Sequence, residues 1–391
     1  MNEKRLQVLF ISSWYPFKER PLLGVFVKRH AVALAKVCDV SALYVYGDDE
    51  DSLEEVTEDG VFTMRLGYRR VKNKTLLVKA VGNVYRYISA WKKLARLYVE
   101  KKGAPDIVNL NVIIPAAKVA RYIKNKWGVP YVISEHWTGY FPEDGRYKGL
   151  WRTSMAQRAV KNASAVITVS NDLKNQMIKA GLNNEYHVIS NIVDTETFNI
   201  SLVKQKGEKV RFVHVSALDD KQKNIVGMIN VCKRVHSEFP NIELTVVGEL
   251  EPETKEQIEE IGKSSGWGDF VHFVGRKVEK ELVELLQNSD AFILFSNYET
   301  QAVVLLESIC CGTPVIATRT GGVGEYVNDK NGILIEPKNE EQLYNAMVSM
   351  VKNRDKFGAP TAIRETVINM VSADSIAKQY LEIYNKVLGR K

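Results

Sequence analysis

Short apolar runs alternate with longer stretches of helical period along almost the whole chain. In the first half QVLFISS (7–13), DVSALYVY (39–46), DIVNLN (106–111), YVISEH (131–136) and AVITVS (165–170) read as buried strands. Helices are expected between them near 25–37, 78–102, 115–126, 151–162 and 171–180. The second half repeats the scheme with VRFVHVS (210–216), IELTVVG (242–248), VHFVG (271–275), AFILFS (291–296), TPVIAT (313–318) and GILIEP (332–337). Its helices are expected near 224–238, 253–265, 279–288, 301–311 and 339–353. Strands that are continuously apolar and followed by helices indicate parallel sheets covered on both faces. The fold class is therefore α/β, with two doubly wound, Rossmann-like domains facing a cleft.

The polar segment SNIVDTETFNISLVKQKGEK (190–209) breaks the pattern and marks the join. Residues 1–188 make the first domain and 189–373 the second. A last helix opens near Ser372 or Asp374 and carries Ile376, Tyr380, Ile383, Tyr384 and Val387 on one stripe. Residues 374–391 are thus expected to return to the first domain. The length of 391 residues suits two cores of about 150 to 200 residues each.

Composition is that of a folded soluble protein, 45% hydrophobic and 26% charged. Cys38, Cys232, Cys310 and Cys311 have no metal-ligand spacing near a histidine. Reduced thiols in a cytoplasmic protein are the expectation. VLFI (8–11) is too short for a signal-peptide core or a membrane span.

The net charge of +7 is unevenly spread. Residues 48–59 carry eight acids and no base, whereas 65–102 carry twelve Lys or Arg against Glu100 alone. Within the basic stretch Val81, Val84, Tyr85, Ile88, Trp91, Leu94, Leu97 and Tyr98 recur at helical spacing. Either this is a solvated helix packed on a core, or its basic face docks on anionic lipid. No nucleic-acid motif accompanies the charge, and nucleic acid is not expected as a partner.

Ligands of such sheets sit beyond the carboxyl ends of the strands. After the first strand, SSWYPFKERPLLGVF closes at Gly24, which is either an ordinary turn residue or a point where backbone approaches a ligand. His136 ends the YVISEH run and is the histidine best placed for polar chemistry, although strand-end histidines are often structural. HVSALDDKQKN brings Ser216 to a strand end and Lys223 to the start of a helix, where a cation opposes the helix dipole until an anion arrives. Glu299 precedes the apolar helix expected over 301–311, whose first turn would hold the amides of Thr300 and Gln301. Glu307 lies two turns further on, inside AVVLLESICC. A carboxylate there costs several kcal/mol unless something hydrogen-bonds it, and vicinal hydroxyls of a ribose are suited to that. Gly321 and Gly322 follow the next strand and let backbone come close to a phosphate or sugar. The acidic DED at 49–51 matches a short metal motif, but its eight-acid surroundings favour a solvated loop, and no metal is expected.

These ordered pieces resemble the donor site of retaining family 4 glycosyltransferases of the two-lobed GT-B fold. Glu299, seven residues, Glu307, then CGTPVIAT and GGVGE match the glutamate motif. SNIVDTETF resembles the interdomain segment, HVSALDDKQKN the phosphate loop, and VHFVG with LLQNSDAFILFS the approach to the glutamates. The resemblance covers the second half well and the first half loosely. It implies that Glu307 holds the nucleotide ribose, Glu299 the donor-sugar hydroxyls and Lys223 the diphosphate. Gly321 and Gly322 would line the donor pocket, and His136 would reach the transferring sugar. It implies a nucleotide-diphosphate sugar as donor substrate, no metal or other cofactor, and front-face attack with retention. No side chain is expected to act as a covalent nucleophile.

The chain departs from the family pattern in two places. Ala217 stands where the phosphate loop usually has Arg, with Arg276 and Lys221 as candidate substitutes. Gln301 and Ala302 replace a Phe-Gly pair. A glycan or lipid-linked acceptor in surface-polysaccharide or glycolipid synthesis, made by a cytoplasmic enzyme peripheral to the membrane, is the expected setting. A sugar-nucleotide epimerase of the same fold and a non-catalytic nucleotide-sugar binder are the alternatives.

Overall fold

Strands that bury both faces have to be covered by helices on both sides, and the chain does this twice. The computed structural model describes residues 5–72, 74–201, 207–249, 256, 262 and 269–390. Two compact units result: Met1–Tyr140 with Gly145–Ile192 and Ala373–Lys391, and Phe141–Asp144 with Val193–Ser372. These divisions stand beside the expected ones at 188/189 and 373/374.

The first unit holds β1 (Gln7–Ser12), α1 (Val25–Ala35), β2 (Asp39–Asp48), β3 (Ser52–Glu58), β4 (Val61–Arg69) and α2 (Leu76–Lys102). It continues with β5 (Ile107–Asn111), α3 (Ile113–Trp127), β6 (Tyr131–Glu135), α4 (Leu150–Asn162), β7 (Ala165–Thr168), α5 (Asn171–Lys179) and β8 (Tyr186–Val188). The strand order is β3-β4-β2-β1-β5-β6-β7-β8, parallel throughout except where β3 meets β4. The second unit holds β9 (Val210–Val215), α6 (Asp220–Lys223), α7 (Ile225–Glu238), β10 (Ile242–Val247), β11 (Val271–Phe273), α8 (Glu279–Asn288), β12 (Ala291–Leu294) and α9 (Val303–Cys310). After these come β13 (Val315–Thr318), β14 (Gly332–Ile335), α10 (Glu340–Lys352), α11 (Pro360–Glu365) and α12 (Ile368–Val371). Its sheet is wholly parallel, in the order β11-β10-β9-β12-β13-β14. All but two positions of the helix expected over 253–265 lie outside the described residues.

The β3–β4 hairpin is the main departure from the sequence reading, which left 48–59 as a solvated acidic run. Residues 49–51 do form a loop, but Ser52–Glu58 is an edge strand. It shows no apolar alternation because neither face enters a core. Charge pairing supports it instead: Glu54 lies opposite Arg65 in register and 3.0 Å from it, while Glu55 pairs with Lys101 of α2. Arg65 is buried in β4 and also donates to the Pro16 carbonyl at 3.1 Å. The basic segment 65–102 is therefore partly neutralised from within its own unit.

Helix α2 corrects a second expectation. Ala90, Trp91, Leu94, Ala95 and Tyr98 are buried, but Val81, Val84 and Tyr85, read as part of the same stripe, are exposed. Only the carboxyl half of the helix packs on the core.

The last helix, α13 (Ala373–Leu388), belongs to the first unit and packs on α1. Ile376, Tyr380, Ile383 and Tyr384 are buried there. Two buried polar residues of neighbouring strands fix its seat. Asn109 of β5 donates to the Tyr384 hydroxyl at 2.6 Å, and Ser134 of β6 meets the Tyr380 hydroxyl at 3.1 Å. Ser134 also donates to the Asn109 side chain at 2.9 Å, so these buried groups satisfy one another.

Candidate functional site

The carboxyl edge of the second sheet gathers the loops after β9, β12 and β13, three neighbouring strands. Glu299 lies in the loop after β12 with 4% of its surface exposed. Its Oε1 accepts from the Ser296 hydroxyl at 2.7 Å and pairs closely with the Lys223 ammonium, which ends α6. Asn297 donates its backbone N–H to the Gln222 carbonyl at 2.7 Å, and Gln222 donates back to the Tyr298 carbonyl at 3.2 Å. The Lys223 and Glu299 loops are thereby stitched together. Gly321 follows β13 with φ 54°, and a Cβ there would lie 1.9 Å from the Glu299 carbonyl oxygen. Gly322 donates to the Thr300 carbonyl at 2.8 Å. The first glycine is required by the approach of these two loops to each other, before any ligand is considered.

Glu307 is buried on α9 among Leu305, Leu306, Ser308 and Ile309. The helix begins at Val303, two residues later than expected, so Thr300 and Gln301 lie ahead of its first turn rather than in it. Gln301 is fully buried and donates to the Tyr326 hydroxyl at 2.8 Å, which turns its side chain into the core. Ala302 takes the left-handed conformation (φ 62°) that the family's glycine would adopt freely, at a cost of about 1–2 kcal/mol for a residue with a Cβ.

The start of α7 is also less open to an anion than the sequence suggested. Asp220 accepts the Val226 N–H at 2.9 Å, so an acidic cap already occupies that amide. Lys223 precedes α7 across Asn224, itself left-handed with φ 50°. Ala217 is exposed on the same loop. Of its candidate substitutes, Lys221 donates to the Asp144 carbonyl at 3.2 Å, while Arg276 is exposed after β11 with no ion pair among the described residues.

His214 escaped the sequence reading because it sits inside an apolar strand, with only its polarity as a signal. Its Nδ1 lies 2.9 Å from the Ile293 carbonyl, which can only accept, so Nδ1 carries the proton. Nε2 then accepts from the Ser216 hydroxyl at 2.8 Å, and Ser216 accepts the Leu218 N–H at 3.0 Å. Ser216 is thus engaged in shaping the loop that leads to Lys223. Burial lowers the His214 pKa to about 4, with the Lys223 charge adding to it and the Ile293 bond opposing. His30, also fully buried, is lowered to about 4 by burial.

Both histidines titrate lower in the folded chain than in the unfolded one, so the unfolded state takes up protons first as pH falls. The contribution of these two rings is constant above about pH 6.5, and it costs stability between 6.5 and 4, by about 3 kcal/mol for each buried ring. Thermal melts across this window should show the loss, and His214→Gln should flatten part of it.

In the first unit His136 directly follows β6, buried, with Phe26 at 4.5 Å and His30 at 5.8 Å between ring centres. Neither of its ring nitrogens has a hydrogen-bond partner in bonding geometry. Burial first, and His30 next, hold its pKa well below the ordinary range, with Asn191 opposing. Its neighbour Glu135 was missed in sequence, although an acid at the end of YVISEH is the same kind of signal as Glu307. The Glu135 carboxylate accepts the N–H groups of Ile113, His136 and Trp137 at 2.9 to 3.0 Å, and the Tyr140 hydroxyl at 3.2 Å. It anchors the loop that carries His136, and burial raises its pKa against those bonds. Gly24 caps α1 with φ 69°, and a Cβ would lie 2.4 Å from the Trp14 carbonyl oxygen. That contact within its own loop accounts for the glycine.

Among the described residues no three His, Cys, Asp or Glu side chains gather as a metal site would need. All four cysteines are buried thiols. No described helix is long and apolar enough to cross a membrane.

Comparison with known proteins bears on the family and the fold. The model of Glycosyl transferases group 1 matches residues 196–364, and that of Glycosyltransferase Family 4 matches residues 23–197. An uncharacterized glycosyltransferase of Methanocaldococcus jannaschii is 25% identical over 295 residues, covering 74% of this chain and 78% of that one. Sucrose-phosphate synthase from Thermosynechococcus elongatus superposes with a TM-score of 0.78 at 18% identity, over 98% of this chain and 99% of its own. The Anabaena protein HepE, in complex with UDP and glucose, superposes with a TM-score of 0.74 at 16% identity, over 97% and 100%. The two family matches meet near residue 197, inside the polar join, and together run from 23 to 364; the chain belongs to the glycosyltransferases of family 4 and group 1, with the GT-B fold.

Proposed function

We propose that this glycosyltransferase moves a hexosyl-type sugar from a nucleotide-diphosphate donor, held at the carboxyl edge of its second sheet, to a glycan or lipid-linked acceptor. The observation that carries the reading is the buried Glu299 carboxylate, fixed between Ser296 and Lys223. A sugar hydroxyl entering there can donate to the carboxylate and accept from the ammonium. Glu307 takes the ribose hydroxyls, and Lys223 with Arg276 faces the diphosphate, whose negative charge grows as the anomeric bond breaks. Charge on the leaving group is met in this reading by protein cations, without a metal.

Transfer with retention, by front-face attack in which a diphosphate oxygen takes the acceptor proton, fits a site that assigns no covalent nucleophile. In the first unit the neutral imidazole of His136, whose ring nitrogens have no partner in bonding geometry, is suited to a sugar hydroxyl. HepE, with its bound UDP and glucose, lends support to a nucleotide sugar as donor. The setting proposed is a cytoplasmic enzyme of surface-polysaccharide or glycolipid synthesis.

Thermal-shift screening of the whole protein against nucleoside diphosphates and their hexose conjugates tests the reading. At a hundredfold excess over the dissociation constant, a true donor adds about 2.7 kcal/mol. A panel without any stabilising nucleotide overturns it. Conversion of a stabilising donor into an epimeric nucleotide sugar without acceptor favours the epimerase.

A further inference from the structure

The amino-terminal half of α2 stands off the core. Every described residue from Lys74 to Val81 is exposed, including Leu76, Leu77 and Val78, and Tyr85 one turn later is 74% exposed. Six large apolar side chains within ten residues of one helix, all facing water, form a contiguous patch that a soluble surface rarely keeps.

The charges around this patch say what covers it. Lys79, Arg86 and Lys93 recur at seven-residue intervals and so lie along one flank of the helix. Lys74 stands just before the first turn. None of the four has a carboxylate partner among the described residues, whereas Lys72 and Lys101 are paired with Asp49 and Glu55. Within the hairpin Glu54, Glu55, Glu58 and Asp59 are paired with Arg65, Lys101 and Lys28, and a row of cations without a carboxylate partner among the described residues borders the apolar face. Arg86 and Lys93 also line an open cavity of about 440 Å³ between α2 and the β3–β4 hairpin, together with Ser52 and Ser89. The one acid in its lining, Asp51, accepts the Arg69 N–H at 2.7 Å.

We infer that the first half of α2 docks the protein on an anionic lipid bilayer. Leu76, Leu77, Val78 and Val81 enter the acyl boundary, and Lys79, Arg86 and Lys93 take lipid phosphates, one of them in the cavity beside Ser89. An interfacial helix needs this combination of an apolar face with a basic border. A second copy of the chain is a poor occupant, because a two-fold contact through this patch would set the same cations against each other. The inference concerns the first unit alone and needs no donor, so its failure leaves the glycosyl-transfer reading standing.

Co-sedimentation of the full chain with vesicles tests it, using phosphatidylcholine alone and one part phosphatidylglycerol to two of phosphatidylcholine. Pelleting is expected only with the anionic vesicles and should fade with added salt. Lys79→Ala and Lys93→Ala should each weaken partitioning about fivefold, and Leu77→Asp with Val81→Asp more than about tenfold. These exposed positions leave the melting temperature unchanged, which separates lost docking from lost folding. Equal pelleting with both vesicles, no pelleting with either, or binding indifferent to all four substitutions overturns the inference. Sedimentation of the free protein as a dimer that Leu77→Asp dissociates overturns it as well, in favour of self-association.

Discussion

Lys223→Ala should lower kcat/KM roughly 10²–10³-fold, the loss typical of removing one preorganised charge from a site where negative charge develops. The variant does two things at once. It removes the cation proposed to face the diphosphate, and it strands the Glu299 carboxylate with only Ser296 as a described hydrogen-bond donor of normal length. Leaving a largely buried charge unpaired costs about 3 kcal/mol, so some destabilisation accompanies the kinetic defect. The double variant Lys223→Ala with Glu299→Gln, measured against Glu299→Gln alone, separates the effects. Neutralising the stranded acid should restore the melting temperature and leave turnover low. Recovery of turnover with stability would assign Lys223 a structural role only, and activity within tenfold of the parent in Lys223→Ala would remove it from the site.

Glu307→Ala should abolish the thermal shift given by the best nucleotide. In the parent, about 2.7 kcal/mol of linkage at a hundredfold excess corresponds to a rise of about 5–10 °C for a domain of this size. The variant, compared at the same ligand concentration, should show none. Truncating a buried side chain has its own cost, so Glu307→Gln serves as the companion: it keeps the volume and one acceptor, and should retain a reduced shift. Full binding by a folded Glu307→Ala places the ribose elsewhere.

How much of this was legible in the sequence depends on what kind of physics set each element. Strands such as Val8–Ile11 and Phe292–Leu294 bury both faces, and a continuous apolar run has few other readings. Edge strand β3 was not legible, because its support is cross-strand charge and a run of acids reads as solvent-exposed loop. The exposed start of α2 was not legible either. Helical period shows that apolar residues share a face, but says nothing about whether a partner covers it. At the site, Lys223, Glu299 and Gly321 are brought together as their order along the chain suggested. The supporting groups are harder to find. Ser296, His214 and Asp220 act through single hydrogen bonds across loops, and such bonds leave no periodic trace. Gln301 shows the converse, a polar residue beside the motif whose side chain is used by the core.

The tyrosine clasp between α13 and the first sheet bears on the order in which the protein is made. Asn109 and Ser134 emerge from the ribosome long before Tyr384 and Tyr380, with the whole second unit synthesised in between. Until the final helix arrives, those amide and hydroxyl groups and the apolar surface beneath Ile376 have no cover. The nascent first unit therefore waits unfinished while the later one completes its own core, and closing it joins segments some 275 residues apart.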